Sequence, residues 1–215
     1  MIVYACPSFV IAFKPHGLPT VPLRKKPDQD TLLSRVGKLY PEALTPMSDQ
    51  PWEGGTVHRL DTATEGLVLF ALKQEFFDHI KRAQLEGLFR KTYTAVCTPT
   101  RELPDAFPYD IKSYFRPLGP GRRRVKAEPR KAKGSTRVSY TTTVKNVVQD
   151  GEKAVFTVEI TRGFRHQIRV HLATSGYPIL GDSLYNEAFP DGELQLSCTE
   201  VQFPLEDSSM FVFHS

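Results

Sequence analysis

Thr56-Val57-His58-Arg59-Leu60-Asp61-Thr62-Ala63-Thr64-Glu65-Gly66-Leu67-Val68-Leu69-Phe70-Ala71 sets a carboxylate just ahead of an apolar run. The run from Leu67 has the length and composition of a buried strand. An aspartate tied to the start of a core strand is held at a fixed angle. Removing it from water has a cost unless a cation answers it. Arg59, two residues away and on the same side of an extended segment, is the nearest such cation. On this window alone, a turn aspartate with a structural arginine partner explains the residues equally well.

Working outward, Phe9-Val10-Ile11-Ala12-Phe13 predicts a first buried strand, ended by the turn Lys14-Pro15-His16-Gly17-Leu18-Pro19. Asp30-Thr31 is placed to cap a helix with Leu32, Leu33, Val36, Leu39 and Tyr40 on one face, stopped before Pro41. A second amphipathic helix is expected over Gln74 to Glu86, with Phe76, Phe77, Ile80 and Ala83 inward. Lys91 to Cys97, Val138 to Val148, Ala154 to Ile160 and Leu194 to Phe203 read as strands. A turn at Asp150-Gly151 joins two of them, and Arg165 to Ser175 reads as a helix closed by Gly176. Strands and helices mix without a βα rhythm. The fold class is therefore α+β, on a largely antiparallel mixed β-sheet with flanking helices and loops.

The 215 residues suffice for one domain, expected here as residues 1–215 with two sub-lobes sharing one sheet. No apolar run approaches the ~20 residues of a membrane span. The N-terminus lacks the basic start and apolar core of a secretory signal. Cys6, Cys97 and Cys198 form no CxxC pair, which argues for reduced thiols and against a disulfide framework or a zinc site. A cytoplasmic location follows as an expectation.

The net charge of +4 hides an asymmetry. Residues 116–137 hold nine basic side chains, including Arg122, Arg123, Arg124 and Lys126, against the single acid Glu128. Charge that dense repels itself, so this basic loop or hairpin insertion is expected to meet a polyanion such as RNA. A solvated mobile loop is the other reading.

Two more clusters bear on chemistry. Tyr93 lies in Phe89-Arg90-Lys91-Thr92-Tyr93-Thr94-Ala95, where an aromatic face can stack a nucleobase or simply fill the core. Arg165-His166-Gln167-Ile168-Arg169-Val170-His171 loads an otherwise core-like helix with cations. Phosphate contacts or a buried carboxylate partner would explain them. His166 and His171 are five apart, not the i,i+4 pair of a helical zinc site, so no metal is expected.

The His58-Arg-Leu-Asp-x-x-Thr-x-Gly-Leu run, Lys91-x-Tyr-x-Ala and His166-Gln-Ile-Arg-x-His-Leu-Ala occur in this order. Lys14-Pro15-x-Gly17-Leu18 precedes them, and Pro178-Ile179-Leu180-Gly181-Asp182-x-x-Tyr185 follows. Together they resemble the RluA-type pseudouridine synthases, from Phe9 to about Phe203. The resemblance implies a pseudouridine synthase fold with a central active-site cleft. It implies that Asp61 is the catalytic aspartate, that Arg59 fills the stack when uridine flips out, and that Tyr93 packs on the base. It implies that Arg169 salt-bridges the catalytic carboxylate. Two positions depart from the commoner pattern: Glu65 stands where serine is usual, and Phe164 where arginine is common. With a first strand by Phe9, no S4 RNA-binding domain is expected ahead of this one.

Such an enzyme breaks the N1–C1′ bond of uridine and rejoins C1′ to C5 of the same base. The base stays bound, so no cofactor is expected. A carboxylate stabilises the electron-poor sugar, as in glycoside cleavage, while a single acid disfavours attack by water. The expected partner is structured RNA, ribosomal or transfer, with no membrane and a monomeric state. Two other readings remain open here: a non-catalytic RNA-binding or ribosome-assembly protein on the same fold, and a hydrolase using Glu65 as a second acid.

Overall fold

The computed structural model describes residues 1–215, and the chain divides into two compact units. The first comprises Met1–Phe89 and Ser197–Ser215; the second is Arg90–Leu196.

In the first unit, β1 (Ile2–Ala5), β2 (Phe9–Lys14) and β3 (Glu65–Ala71) form an antiparallel meander in space. Phe9 faces Ala71 and Lys14 faces Gly66, so both central strands are buried nearly throughout. β9 (Leu196–Pro204) joins β3 in parallel over two residue pairs, and β10 (Met210–His214) adds to β9 antiparallel. The parallel contact needs Gly66: with φ at +115°, a Cβ there would sit 2.3 Å from the Cys198 carbonyl oxygen. The glycine that sequence places before the strand is therefore required for a close backbone approach.

Helix α2 (Gln74–Glu86) has the limits that its periodicity predicts, with Phe76, Phe77, Ile80 and Ala83 buried and Gly87 closing it left-handed. Phe76 stacks on Phe9 at 4.7 Å, and Phe203 meets Phe9 edge-on at 5.4 Å. Helix α1 (Leu32–Gly37) is shorter than predicted. Thr31 caps it in a capping box with Ser34, while Asp30 instead pairs with Arg35. Because the helix stops at Gly37, Leu39 is not inward as its spacing suggests but 67% exposed.

In the second unit, β4 (Arg90–Cys97), β8 (Lys153–Ile160), β7 (Tyr140–Asp150) and β5 (Tyr109–Leu118) pair antiparallel in that order, with β6 (Arg124–Glu128) beside β5. Helix α3 (Gln167–Thr174) begins two residues later than predicted, because His166 adopts a left-handed backbone at φ +56°. The α+β class and the antiparallel dominance hold in both units. Sequence gives no strand limits for β1, β5, β6 and β10, although the loop-or-hairpin reading of residues 116–137 spans β6 and the end of β5. β5 and β6 carry exposed polar residues among few buried ones, so the period-two signal is faint. β1 and β10 are short, and each leaves alternate residues uncovered.

Candidate active site

Asp61 lies in the turn before β3, half-buried, and both of its neighbours are pinned. On one side the Thr20 hydroxyl donates to the Leu60 carbonyl at 2.9 Å and accepts the Leu60 amide at 3.1 Å. On the other, the Thr62 carbonyl accepts the Gly17 amide at 2.9 Å and the Lys14 ammonium at 3.0 Å. The Asp61 carbonyl itself takes the Thr64 amide, which closes the turn. The turn is thus held from the end of β2 and the segment after it, across forty or more residues of chain.

Lys14 is the less expected part. Fully buried, it spends its three ammonium protons on the carbonyls of Pro15, Leu18 and Thr62. Burial lowers its pKa to about 8, against the opposing pull of the Asp61 and Glu65 carboxylates, which favour its charged form. Glu65, one of the two departures from the commoner pattern, thereby supplies negative charge to this lysine. The sequence signal for Lys14 was the Lys-Pro-x-Gly-Leu turn itself; nothing in its composition says that the amine points inward.

His58 accepts the Leu69 amide of β3 at its Nε2 (3.2 Å) and lies tilted against Phe89 at 5.3 Å. It is a buried structural acceptor. Arg59, offered by sequence as the cation nearest Asp61, is exposed and pairs with Glu53 at 2.5 Å. Its guanidinium is therefore steered by the short helical turn at Pro51–Glu53.

The remaining candidates belong to the second unit. Tyr93 projects from the buried face of β4, opposite Val158 of β8, and is 4% exposed. Arg169, on α3, donates twice to Asp182, at 2.8 and 2.6 Å, and both side chains are almost fully buried. A bidentate pair of this kind fixes the guanidinium plane. The Asp182 carboxylate is the partner that the cationic helix called for, and the Gly181-Asp182-x-x-Tyr185 motif supplied it.

Arg122, Arg123, Arg124 and Lys126 are all exposed on the β5–β6 hairpin, where Leu118 faces Arg124 and Tyr114 faces Glu128. Glu128 accepts Arg116 at 3.1 Å and Lys126 at 3.4 Å. Beneath the hairpin Phe115, Val125 and Val170 form a small core, joined by Phe164, whose ring stacks on Phe115 at 5.0 Å. The phenylalanine that replaces the usual arginine therefore packs under the hairpin.

No helix is long and apolar enough to cross a membrane. The family model described as RNA pseudouridylate synthase matches residues 8–174. The dual-specificity RNA pseudouridine synthase RluA of Salmonella typhi is 31% identical over 192 residues, covering 86% of this chain and 76% of its own. An uncharacterized Caenorhabditis elegans protein, K07E8.7, is 34% identical over 137 residues; these are 61% of this chain and 28% of that much longer one. The solved structure of human RNA pseudouridylate synthase domain containing 1 superposes over the whole chain and 82% of its own, with a TM-score of 0.71 at 20% identity. That likeness concerns the fold.

Proposed function

This chain belongs to the RNA pseudouridylate synthase family, and we propose that it isomerises uridine in folded ribosomal or transfer RNA with Asp61 as its catalytic carboxylate. The enzyme is an RNA pseudouridine synthase of the RluA type. Supporting the role of Asp61 is the double anchoring of its turn, through Thr20 at Leu60 and through Lys14 at Thr62. Anchoring both neighbours fixes the backbone that carries a half-buried carboxylate, as a group that must meet a sugar at a set angle requires.

The reaction cleaves N1–C1′, forms C1′–C5 and releases the C5 proton, while N1 gains a proton. Asp61 is the group that answers the electron-poor sugar. Arg59 takes the position vacated by the everted base, where a planar guanidinium stacks and still donates hydrogen bonds. Tyr93 packs on the uracil ring, and Arg169 is the basic residue of the site. Arg122, Arg123, Arg124 and Lys126 contact phosphates without regard to sequence. A soluble enzyme acting in the cytoplasm on RNA fits these roles.

Incubating the purified protein with ribosomal and transfer RNA, then mapping carbodiimide-dependent reverse-transcription stops, tests this reading. Stops at discrete uridines are expected with the wild type and none with Asp61→Asn. Stops that persist in the variant would remove Asp61 from the chemistry. Binding without any stop, even for the wild type, would leave an RNA-binding protein only.

A further inference from the structure

The turn from Gly181 to Tyr185 has so far supplied only a counterion. Its geometry does more. Asp182 accepts Arg169 twice, and its Oδ1 also receives the backbone amides of Leu184 at 3.0 Å and Tyr185 at 3.2 Å. The carboxylate is thereby saturated, and the turn it closes sets the Tyr185 ring against two guanidinium groups. Arg169 lies 5.3 Å from the ring centroid and Arg124 of β6 lies 5.4 Å from it, both within cation–π range.

The hydroxyl of Tyr185 is equally committed. It accepts the Val125 amide at 2.8 Å and stands 2.9 Å from Nδ1 of His166. The amide takes one acceptor site of the phenol oxygen, and the direction of the Tyr185–His166 bond follows the imidazole tautomer. Burial raises the phenol above its ordinary pKa, which keeps the proton in place at neutral pH. Val125 is the buried residue of β6, between exposed Arg124 and Lys126. Fixing its amide fixes the direction of both cations. Arg165 adds a second tie, donating to the Arg122 carbonyl at 2.6 Å.

We propose that Tyr185 is a positioning residue that couples the basic hairpin to Arg169, its hydroxyl setting the backbone of β6 and its ring bearing on the Arg169 guanidinium. The inference rests on the reading that the hairpin holds RNA and that Arg169 serves the catalytic site. A tyrosine that only filled space would need one partner for its hydroxyl. This one gathers an amide, an imidazole and two guanidinium groups from two separate segments of chain. Phosphates that engage Arg124 would compete for the same guanidinium that rests on the ring. RNA capture is thus felt at the residue that also touches Arg169.

Steady-state kinetics on an RNA carrying the mapped uridine test this. Tyr185→Phe keeps the ring and loses both hydroxyl bonds; its KM is expected to rise about fivefold, with kcat within about twofold of wild type. Tyr185→Leu removes the ring as well, and kcat is expected to fall about tenfold. In an Arg124→Gln/Lys126→Gln background, Tyr185→Phe should change KM by less than about twofold, because the hairpin it aims is already disabled. A purely structural tyrosine would lower the melting temperature and leave KM and kcat alone. Tyr185→Phe with wild-type KM, or effects that multiply independently in the double-mutant cycle, would overturn the proposal. Should Tyr185→Leu fail to fold, Tyr185→Phe and the cycle decide it. Loss of all pseudouridine formation in the wild type would instead refute the reading on which the coupling rests.

Discussion

Lys14 and Arg169 are both buried cations, one in each unit, and they are answered in opposite ways. Arg169 has a carboxylate in contact through two hydrogen bonds, so its charge is matched on the spot. Lys14 has only carbonyl oxygens in contact, and the carboxylates of Asp61 and Glu65 act on it electrostatically. Burial therefore moves the lysine down to about 8. The difference shows what each is for. Arg169 is locked as a fixed charge by Asp182, whereas Lys14 organises the backbone of the turn that carries Asp61.

Breaking the matched pair should have the largest effect on stability. Asp182→Ala strands a buried guanidinium, and the fold is expected to lose about 3–5 kcal/mol in a denaturant titration. The variant's remaining folded protein should lack activity. Next comes Lys14→Met, which keeps the volume but leaves three carbonyls without their donor. A loss of about 1–3 kcal/mol is expected, with pseudouridine formation reduced further than folding explains. If Lys14→Met were as active as wild type, the clamp on Thr62 would be irrelevant to the reaction.

A buried histidine sharpens the contrast, since His171 is answered by no carboxylate and is held neutral. Its Nδ1 meets the Thr142 hydroxyl at 2.9 Å, its Nε2 has no partner, and burial drops its pKa to about 4. The unfolded chain then binds this proton more readily between the ordinary value of 6.5 and 4. Stability is therefore whole above that window and declines as pH falls through it, by about 3 kcal/mol at most. Lys14 has the same sign in another window: the unfolded lysine keeps its proton up to 10.5, so stability rises as pH climbs from 8. Thermal melts of wild type and His171→Leu between pH 4 and 7 should separate in slope; parallel curves would contradict the assignment.

The smallest stability effect belongs to the hairpin. Replacing Arg122, Arg123 and Arg124 with glutamine should leave folding within about 0.5 kcal/mol and flatten the log–log salt dependence of RNA binding by about 2. An unchanged slope would mean that these cations are merely solvated.

Much of this was legible in the chain. Helix α2, strand β2 and the run into β3 announce themselves because each buries one continuous face, and Gly87 ends the helix just after Glu86. The candidate residues were legible as types in order: an aspartate before a strand, a tyrosine within one, an arginine on a core-like helix. Their partners were not. Arg59 reads as the cation of Asp61, yet its guanidinium turns to Glu53 six residues back. Asp182 answers Arg169 from thirteen residues onward, and Lys14 reaches Thr62 across forty-eight. Such pairings are set by how strands register and turns close, which periodicity does not encode. Leu39 shows the converse error, since a periodic pattern outran the helix that was to carry it.

Release of tritium from RNA labelled at C5 of uridine, measured beside RNA affinity for wild type and Asp61→Asn, reaches the central claim most directly. The account predicts release by the wild type, and less than about one thousandth of that rate from a variant that binds RNA within about threefold of wild type. Tritium released at a comparable rate by Asp61→Asn would contradict it.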